Sequence, residues 1–189
     1  MDENFGRTLA NITLAPYIVK AMALIGVKRR GGSNMFRHQI STLGILLDYK
    51  FIDPVLLKAA VIHDLFEDAP KMPGVTEDEI TRLDADGPAV FRLVMEVTIR
   101  SVNGIEEPKS QYLLRIFCEG SYNARVLKLA DRISNLTALG YVHEPEFVRR
   151  YLKETKDWIL PHAARTNADM GLELKHLVEN REQLLPTAE

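Results

Sequence analysis

The stretch VIHDLFEDAP, Val61 to Pro70, gathers His63, Asp64, Glu67 and Asp68 directly behind an apolar run. Imidazole and carboxylate together ligate divalent transition ions, and both can move protons near neutral pH. On an α-helix, residues four apart stack on one face. The spacing therefore places His63 beside Glu67 and Asp64 beside Asp68, above the apolar turns formed by Leu56, Leu57, Ala59, Ala60 and Ile62. Carboxylates gathered so closely repel, and burial drives them toward protonation unless a cation sits among them. A divalent metal supplies that charge directly. The same residues also fit a solvated acidic helix end closed by Ala69 and Pro70, and the segment alone leaves both readings open.

Two other segments carry related chemistry. In RVLKLADRISNL, Asp131 follows Val126, Leu127, Leu129 and Ala130, while Lys128 three residues before it and Asn135 four after it share about one side of a helix. That pattern suits either a ligand carboxylate with substrate contacts beside it or a surface ion pair. His38 opens an amphipathic segment directly after the basic, glycine-broken run Lys28-Arg29-Arg30-Gly31-Gly32. A histidine at such a place serves as a ligand, a cap or a packed core residue.

The elements that must position these residues read as helices almost throughout. Leu14 to Val27 is apolar at helical spacing until the glycine pair breaks it, and His38 to Tyr49 forms a second segment. Asp53-Pro54 is an N-cap with proline at the first helical position, and it opens the helix expected to run on through HDLFED. Thr76 to Glu79 is a capping box, and a further helix is expected from about Pro88 to Thr98. Ser101 to Pro108 is expected to be a loop and Gln111 to Cys118 a short helix. Tyr122 to Leu139, Glu146 to Ile159 and Ala168 to Leu185 complete the set. No alternation is long enough to indicate a strand. The expectation is an all-α single domain, residues 1–189, of about seven to nine helices.

Composition narrows the function classes. With 24 basic and 26 acidic residues, no overall field favours nucleic acid or an anionic membrane as partner. Cys118 is the single cysteine, which excludes an intramolecular disulfide framework and a cysteine-rich zinc site. The opening MDENFGRTLA lacks the basic-then-apolar order of a signal peptide, and no apolar run reaches membrane-spanning length. The expected compartment is the cytoplasm, and the oligomeric state is not legible.

A histidine, then His-Asp, then a distant helical aspartate together resemble the HD-domain metal-dependent phosphohydrolases. The likeness extends to the RelA/SpoT-type alarmone hydrolases and the small, Mesh1-like members. R-R-G-G-S-N-M-F-R-H resembles their R-K-x-G-x-P-Y-x-x-H, and D-P-V-L-L-K-A-A-V-I-H-D-L-F-E-D resembles their D-x-V-V-L-x-A-A-L-L-H-D-x-V-E-D. K-L-A-D-R-I-S-N-L resembles their K-L-A-D-K-L-x-N-L, and weaker similarity continues to the C-terminal LKHLVENR. The resemblance implies one manganese(II) ion on His38, His63, Asp64 and Asp131, with Glu67 and Asp68 left to orient and deprotonate the attacking water. It also implies removal of the 3′-pyrophosphate from guanosine tetra- and pentaphosphate, with Arg29, Arg30, Lys128, Asn135 and Tyr151 meeting the guanine nucleotide.

The chain departs from the family pattern where the nucleotide would lie. Asn34-Met35 replaces Pro-Tyr, His38-Gln39 replaces His-Pro, and VTIRSVNG replaces a threonine followed by acidic residues and a lysine. These departures keep open a phosphohydrolase for another nucleotide, such as an adenine alarmone, a deoxynucleotide or the phosphate of NADPH. A catalytically silent nucleotide-binding protein is the third class, disfavoured because both Glu67 and Asp68 are present.

Overall fold

The computed structural model describes residues 3–29, 34–69, 72–139 and 144–185. They divide into two compact units, the first within residues 3–28 and 34–99, the second comprising Arg29 and residues from 100 onward.

In the first unit, α1 (Glu3–Ala10) precedes α2 (Ala15–Ala21), which tightens into a 3-10 turn at Met22–Leu24. The carboxamide of Asn34 accepts the Arg37 N–H at 2.8 Å and so starts α3 (Met35–Asp48) one turn before His38. Asp53 does the same for α4 (Pro54–Ile62), accepting the Leu56 N–H at 2.8 Å with proline at the first helical position. Every residue of α4 from Leu56 to Ile62 is buried. A helix apolar on all sides belongs in the middle of a core, and α4 packs against α2, α3 and α7 (Gly87–Val97). Between α4 and α7 lie the short α5 (Leu65–Asp68) and α6 (Glu77–Thr81), the latter capped by Thr76 as expected.

The expectation that one helix carries all of HDLFED is corrected here. Helix α4 ends at Ile62, His63 and Asp64 form a turn, and α5 restarts at Leu65. Asp64 sits at φ −96° and ψ 2°, off the helical path, and its carbonyl accepts the Glu67 and Asp68 N–H groups that open α5. The two stacked columns therefore do not form on a single helix.

In the second unit, Ser101 to Pro108 contains an antiparallel hairpin, β1 (Ser101–Val102) with β2 (Ile105–Glu106). A loop was expected there. Asn103 and Gly104 both have positive φ, 53° and 78°, and Asn-Gly is the pair that a two-residue hairpin turn favours. Helix α8 (Lys109–Leu114) widens into a π turn at Arg115–Glu119, and Ser121 caps α9 (Tyr122–Thr137). Then follow α10 (Pro145–Trp158), α11 (Leu160–Thr166) and α12 (Ala168–Gln183). Helix α12 packs against both α9 and α11. Arg181 of α12 closes the end of α9, donating to the Leu136 and Thr137 carbonyls at 2.9 and 2.7 Å. Among the described residues the fold is all-α in class, with the hairpin and an isolated bridge between Lys28 and Asn34 as its extended pairings. The seven to nine helices legible in the periodicity are the longer ones, and brief segments such as α5 and α6 add to them. No helix among the described residues is long and apolar enough to cross a membrane.

One charged side chain inside the first unit has a defined role. Lys58 of α4, 5% exposed, donates to Asp84 and Asp86 at 2.7 Å each and lies 5.5 Å from the Tyr17 ring centre. The Tyr17 hydroxyl donates to Asp84 at 2.8 Å. Burial works to raise the Asp84 carboxyl, but the bonds from Lys58 and Tyr17 outweigh it and hold its pKa below the usual value. Lys58→Ala is expected to cost about 2 kcal/mol in urea unfolding at pH 7, less than a fully buried pair because both carboxylates are partly exposed. A lowered carboxylate pKa stabilises above its unfolded value, so the cost should shrink as pH falls below about 4. A cost independent of pH from 7 to 3 would remove the ionic account.

Candidate metal centre

The ends of α3 and α4 deliver three donor groups to one place in the first unit. His38 lies one turn into α3, and His63 follows the last residue of α4; each is 3% exposed. Asp64 is next in the chain. The Nε2 atoms of His38 and His63 lie 3.4 and 3.2 Å from Asp64 Oδ2, and the two rings meet edge to face with centroids 5.1 Å apart.

The hydrogen bonding fixes which nitrogen of His63 is available. Its Nδ1 is 2.9 Å from the Ala60 carbonyl oxygen. A carbonyl can only accept, so Nδ1 carries the proton, and in the neutral ring Nε2 presents its lone pair. That lone pair faces a carboxylate oxygen, an arrangement that repels unless a proton or a metal ion lies between them. Burial works to raise the Asp64 carboxyl, and the adjacent His63 and His38 rings, when cationic, outweigh it and hold the carboxyl well below the usual range. Two buried imidazoles beside a partly exposed carboxylate, with one tautomer fixed by a carbonyl, suit a divalent transition ion, and this cluster could bind one.

Gln39, absent from the sequence-based candidates, is fully buried beside His38. Its Nε2 donates to Asp64 Oδ2 at 3.0 Å, and its Oε1 faces the Asp64 N–H at 3.5 Å. Its position was visible only as a departure from a His-Pro pattern. Glu67 and Asp68 of α5 are exposed, and Glu67 Oε1 accepts the Ile99 N–H at 2.7 Å.

The second unit gathers most of the remaining candidates around Asp131 on α9. Lys128 Nζ donates to Asp131 Oδ2 at 2.5 Å, and Asn135 Nδ2 donates to Oδ1 at 2.6 Å. Arg29 in turn donates to Asn135 Oδ1. Lys128 also lies 5.0 Å from the Tyr112 ring centre, and although burial works to lower its pKa, Asp131 and Tyr112 raise it well above the usual value. Lys128 and Asn135 thus hold both oxygens of Asp131, a task the expectation of direct nucleotide contacts did not include. Tyr151 is set against the buried Arg132 guanidinium, 4.2 Å from its ring centre, and Arg132 also binds Glu154 at 2.7 Å. Tyr112 and Arg132 were not among the candidates, although Arg132 directly follows the aspartate in KLADR. Arg30 lies outside the described residues.

No family model matches the chain. It is 31% identical over 156 residues to the GTP pyrophosphokinase rsh of Brucella abortus (strain 2308), an alignment covering 79% of this chain and 20% of that protein. A probable guanosine-3′,5′-bis(diphosphate) 3′-pyrophosphohydrolase of Synechocystis is 31% identical over 144 residues, 73% of this chain and 18% of the relative. The chain thus spans about a fifth of the length of these two proteins. The human guanosine-3′,5′-bis(diphosphate) 3′-pyrophosphohydrolase MESH1 is 30% identical over 155 residues, 79% of this chain and 82% of MESH1. Among solved structures, one described as "A metazoan ortholog of SpoT hydrolyzes ppGpp and plays a role in starvation responses" has the same fold. It aligns with a TM-score of 0.72 at 23% identity, over 96% of this chain and 97% of the other.

A metal at this centre predicts a ligand-dependent stability. Added divalent transition metal should raise the melting temperature of stripped protein, equivalent to about 2.7 kcal/mol at a hundredfold excess over Kd. Asp64→Ala should abolish the rise and the metal found by elemental analysis. A full metal complement in Asp64→Ala would exclude Asp64 as a ligand.

Proposed function

The chain belongs to the Mesh1/SpoT-like family of HD hydrolases, and on that premise we propose that it removes the 3′-pyrophosphate from guanosine tetra- and pentaphosphate. The products are GDP or GTP and intact pyrophosphate. The observation that carries this reading is the approach of His38 Nε2 and His63 Nε2 to one Asp64 oxygen, with the His63 tautomer fixed by Ala60. In this reading one manganese(II) ion is bound by His38, His63 and Asp64, with Asp131 as the fourth ligand and residues 1–189 acting as one catalytic domain. When bound, the ion acidifies water and offsets charge on the pyrophosphate.

Within that reading, the chain's own groups divide the remaining work. Glu67 and Asp68 are the acid–base pair: one carboxylate accepts the proton of the attacking water, the P–O bond to the 3′-oxygen breaks, and that oxygen leaves as a hydroxyl after taking a proton. The bond from the Ile99 N–H orients the Glu67 carboxylate. Lys128 and Asn135 fix both oxygens of Asp131, and Lys128 also brings positive charge toward the pyrophosphate. Arg29 and Arg30 meet the guanine base or its phosphates, and Tyr151 contributes a polar contact to the nucleotide.

A second reading, hydrolysis of an adenine alarmone, a deoxynucleotide or the NADPH phosphate, is favoured by one observation. Lys128, Asn135 and Arg29 are engaged with Asp131 and with each other, and the Asn34-Met35 and VTIRSVNG segments differ from the family pattern where a nucleotide would lie.

A panel of nucleotides offered to manganese-loaded protein, with phosphate and pyrophosphate measured separately, tests both readings. Guanosine tetraphosphate should give GDP and pyrophosphate. Glu67→Gln and Asp68→Asn should each retain metal and substrate binding while lowering kcat by about a hundredfold or more. Faster cleavage of an adenine or deoxynucleotide substrate, unaffected by Arg29→Ala, would replace the first reading with the second.

A further inference from the structure

We infer that Gln39 is a positioning residue of the metal centre, fixing the Asp64 carboxylate and, through the end of α4, the orientation of His63. The inference rests on the metal-binding reading of His38, His63 and Asp64. Gln39 has no exposed surface, so its amide must be satisfied inside the protein, and its polar atoms face the side chain and backbone of the same residue. Nε2 donates at 3.0 Å to Oδ2, the oxygen that both histidines approach. Oε1 faces the Asp64 N–H at 3.5 Å.

The second contact matters for His63. In a continuing α-helix the Asp64 N–H would point to the Ala60 carbonyl. Here it is directed to Gln39, and the Ala60 carbonyl accepts His63 Nδ1. One amide therefore supports two ligands, Asp64 by direct bonds and His63 through the helix end.

The chemistry suits the task. A lysine or arginine in this place would neutralise the carboxylate that the ion needs, whereas a neutral amide steers one lone pair of Oδ2 and leaves the negative charge in place. The proline of the His-Pro pattern has no polar side-chain group at all and could not make these bonds.

Manganese titration of stripped protein, wild type against Gln39→Met and Gln39→Leu, tests the inference, together with the melting temperature of each metal-free protein. Both variants keep an apolar side chain of similar length, so either suffices if the other fails to fold. Loss of a supporting bond to a ligand should weaken the manganese Kd by about 10- to 100-fold. The metal-free melting temperature should fall little by comparison, because the Asp64 carboxylate that loses its donor is partly exposed and water can replace the bond. Wild-type protein that binds manganese with variants within about twofold of it would overturn the role of Gln39 and leave the metal centre standing. A metal-free melting temperature that falls in step with affinity would make Gln39 a packing residue only and overturn it as well. Failure of the wild type to bind manganese would overturn both.

Discussion

The bond between His63 Nδ1 and the Ala60 carbonyl decides what the centre can be. It exists because α4 stops at Ile62, which frees a carbonyl at the helix end, and in the neutral ring it leaves Nε2 as the nitrogen with the lone pair. Asp64 can then bring its carboxylate toward both imidazoles only because the chain turns off the helical path at φ −96°. The buried stretch of α4 from Leu56 to Ile62 makes that geometry reproducible, since neither the carbonyl nor the turn can shift without disturbing the core around Leu56, Leu57 and Ile62.

Charge is managed differently in the two units. Around Asp64 the compensating groups are two imidazoles and a neutral amide, which leaves the carboxylate available to a cation. Around Asp131 a buried lysine and an asparagine occupy both oxygens. Lys128 is itself oriented by the Tyr112 ring, so a residue with no apparent chemistry in the sequence sets the position of one that has it. Both arrangements answer one constraint: a carboxylate drawn out of bulk water must be paired, and its partners fix where its oxygens point.

Much of this was legible from residue types. Asp53-Pro54 marked the start of α4, Thr76 capped α6, and the helical period over Tyr122 to Leu139 matched α9. His38, His63 and Asp64 stood out because the segments that carry them resemble family motifs, while residue types alone left a cap, a core residue and an acidic helix end open. The break at His63-Asp64 was not legible, because nothing in HDLFED opposes a helix locally; where the chain turns, Asp64 is met by Gln39, 25 residues earlier. The hairpin had a usable signal in Asn103-Gly104, but strands of two residues are too short to show alternation. Gln39, Tyr112 and Arg132 were missed for a related reason: an amide, a phenol ring and a guanidinium acquire their roles only from what tertiary packing sets beside them.

The clasp of Arg181 on α9 has a consequence for the order in which the protein matures. The carbonyls of Leu136 and Thr137 receive their partner from a residue 45 and 44 positions later in the chain. At a ribosomal pace of about 5–20 residues per second, α9 emerges and then waits about 2–9 s for the side chain that closes it. Its apolar face, meanwhile, has no α12 to cover it. The first unit meets no such delay, since α4 and α7 are already complete. The half that carries His38 and His63 has therefore left the ribosome while the half that carries Asp131 is still being translated, and in that interval the uncovered face of α9 is open to aggregation or to chaperones.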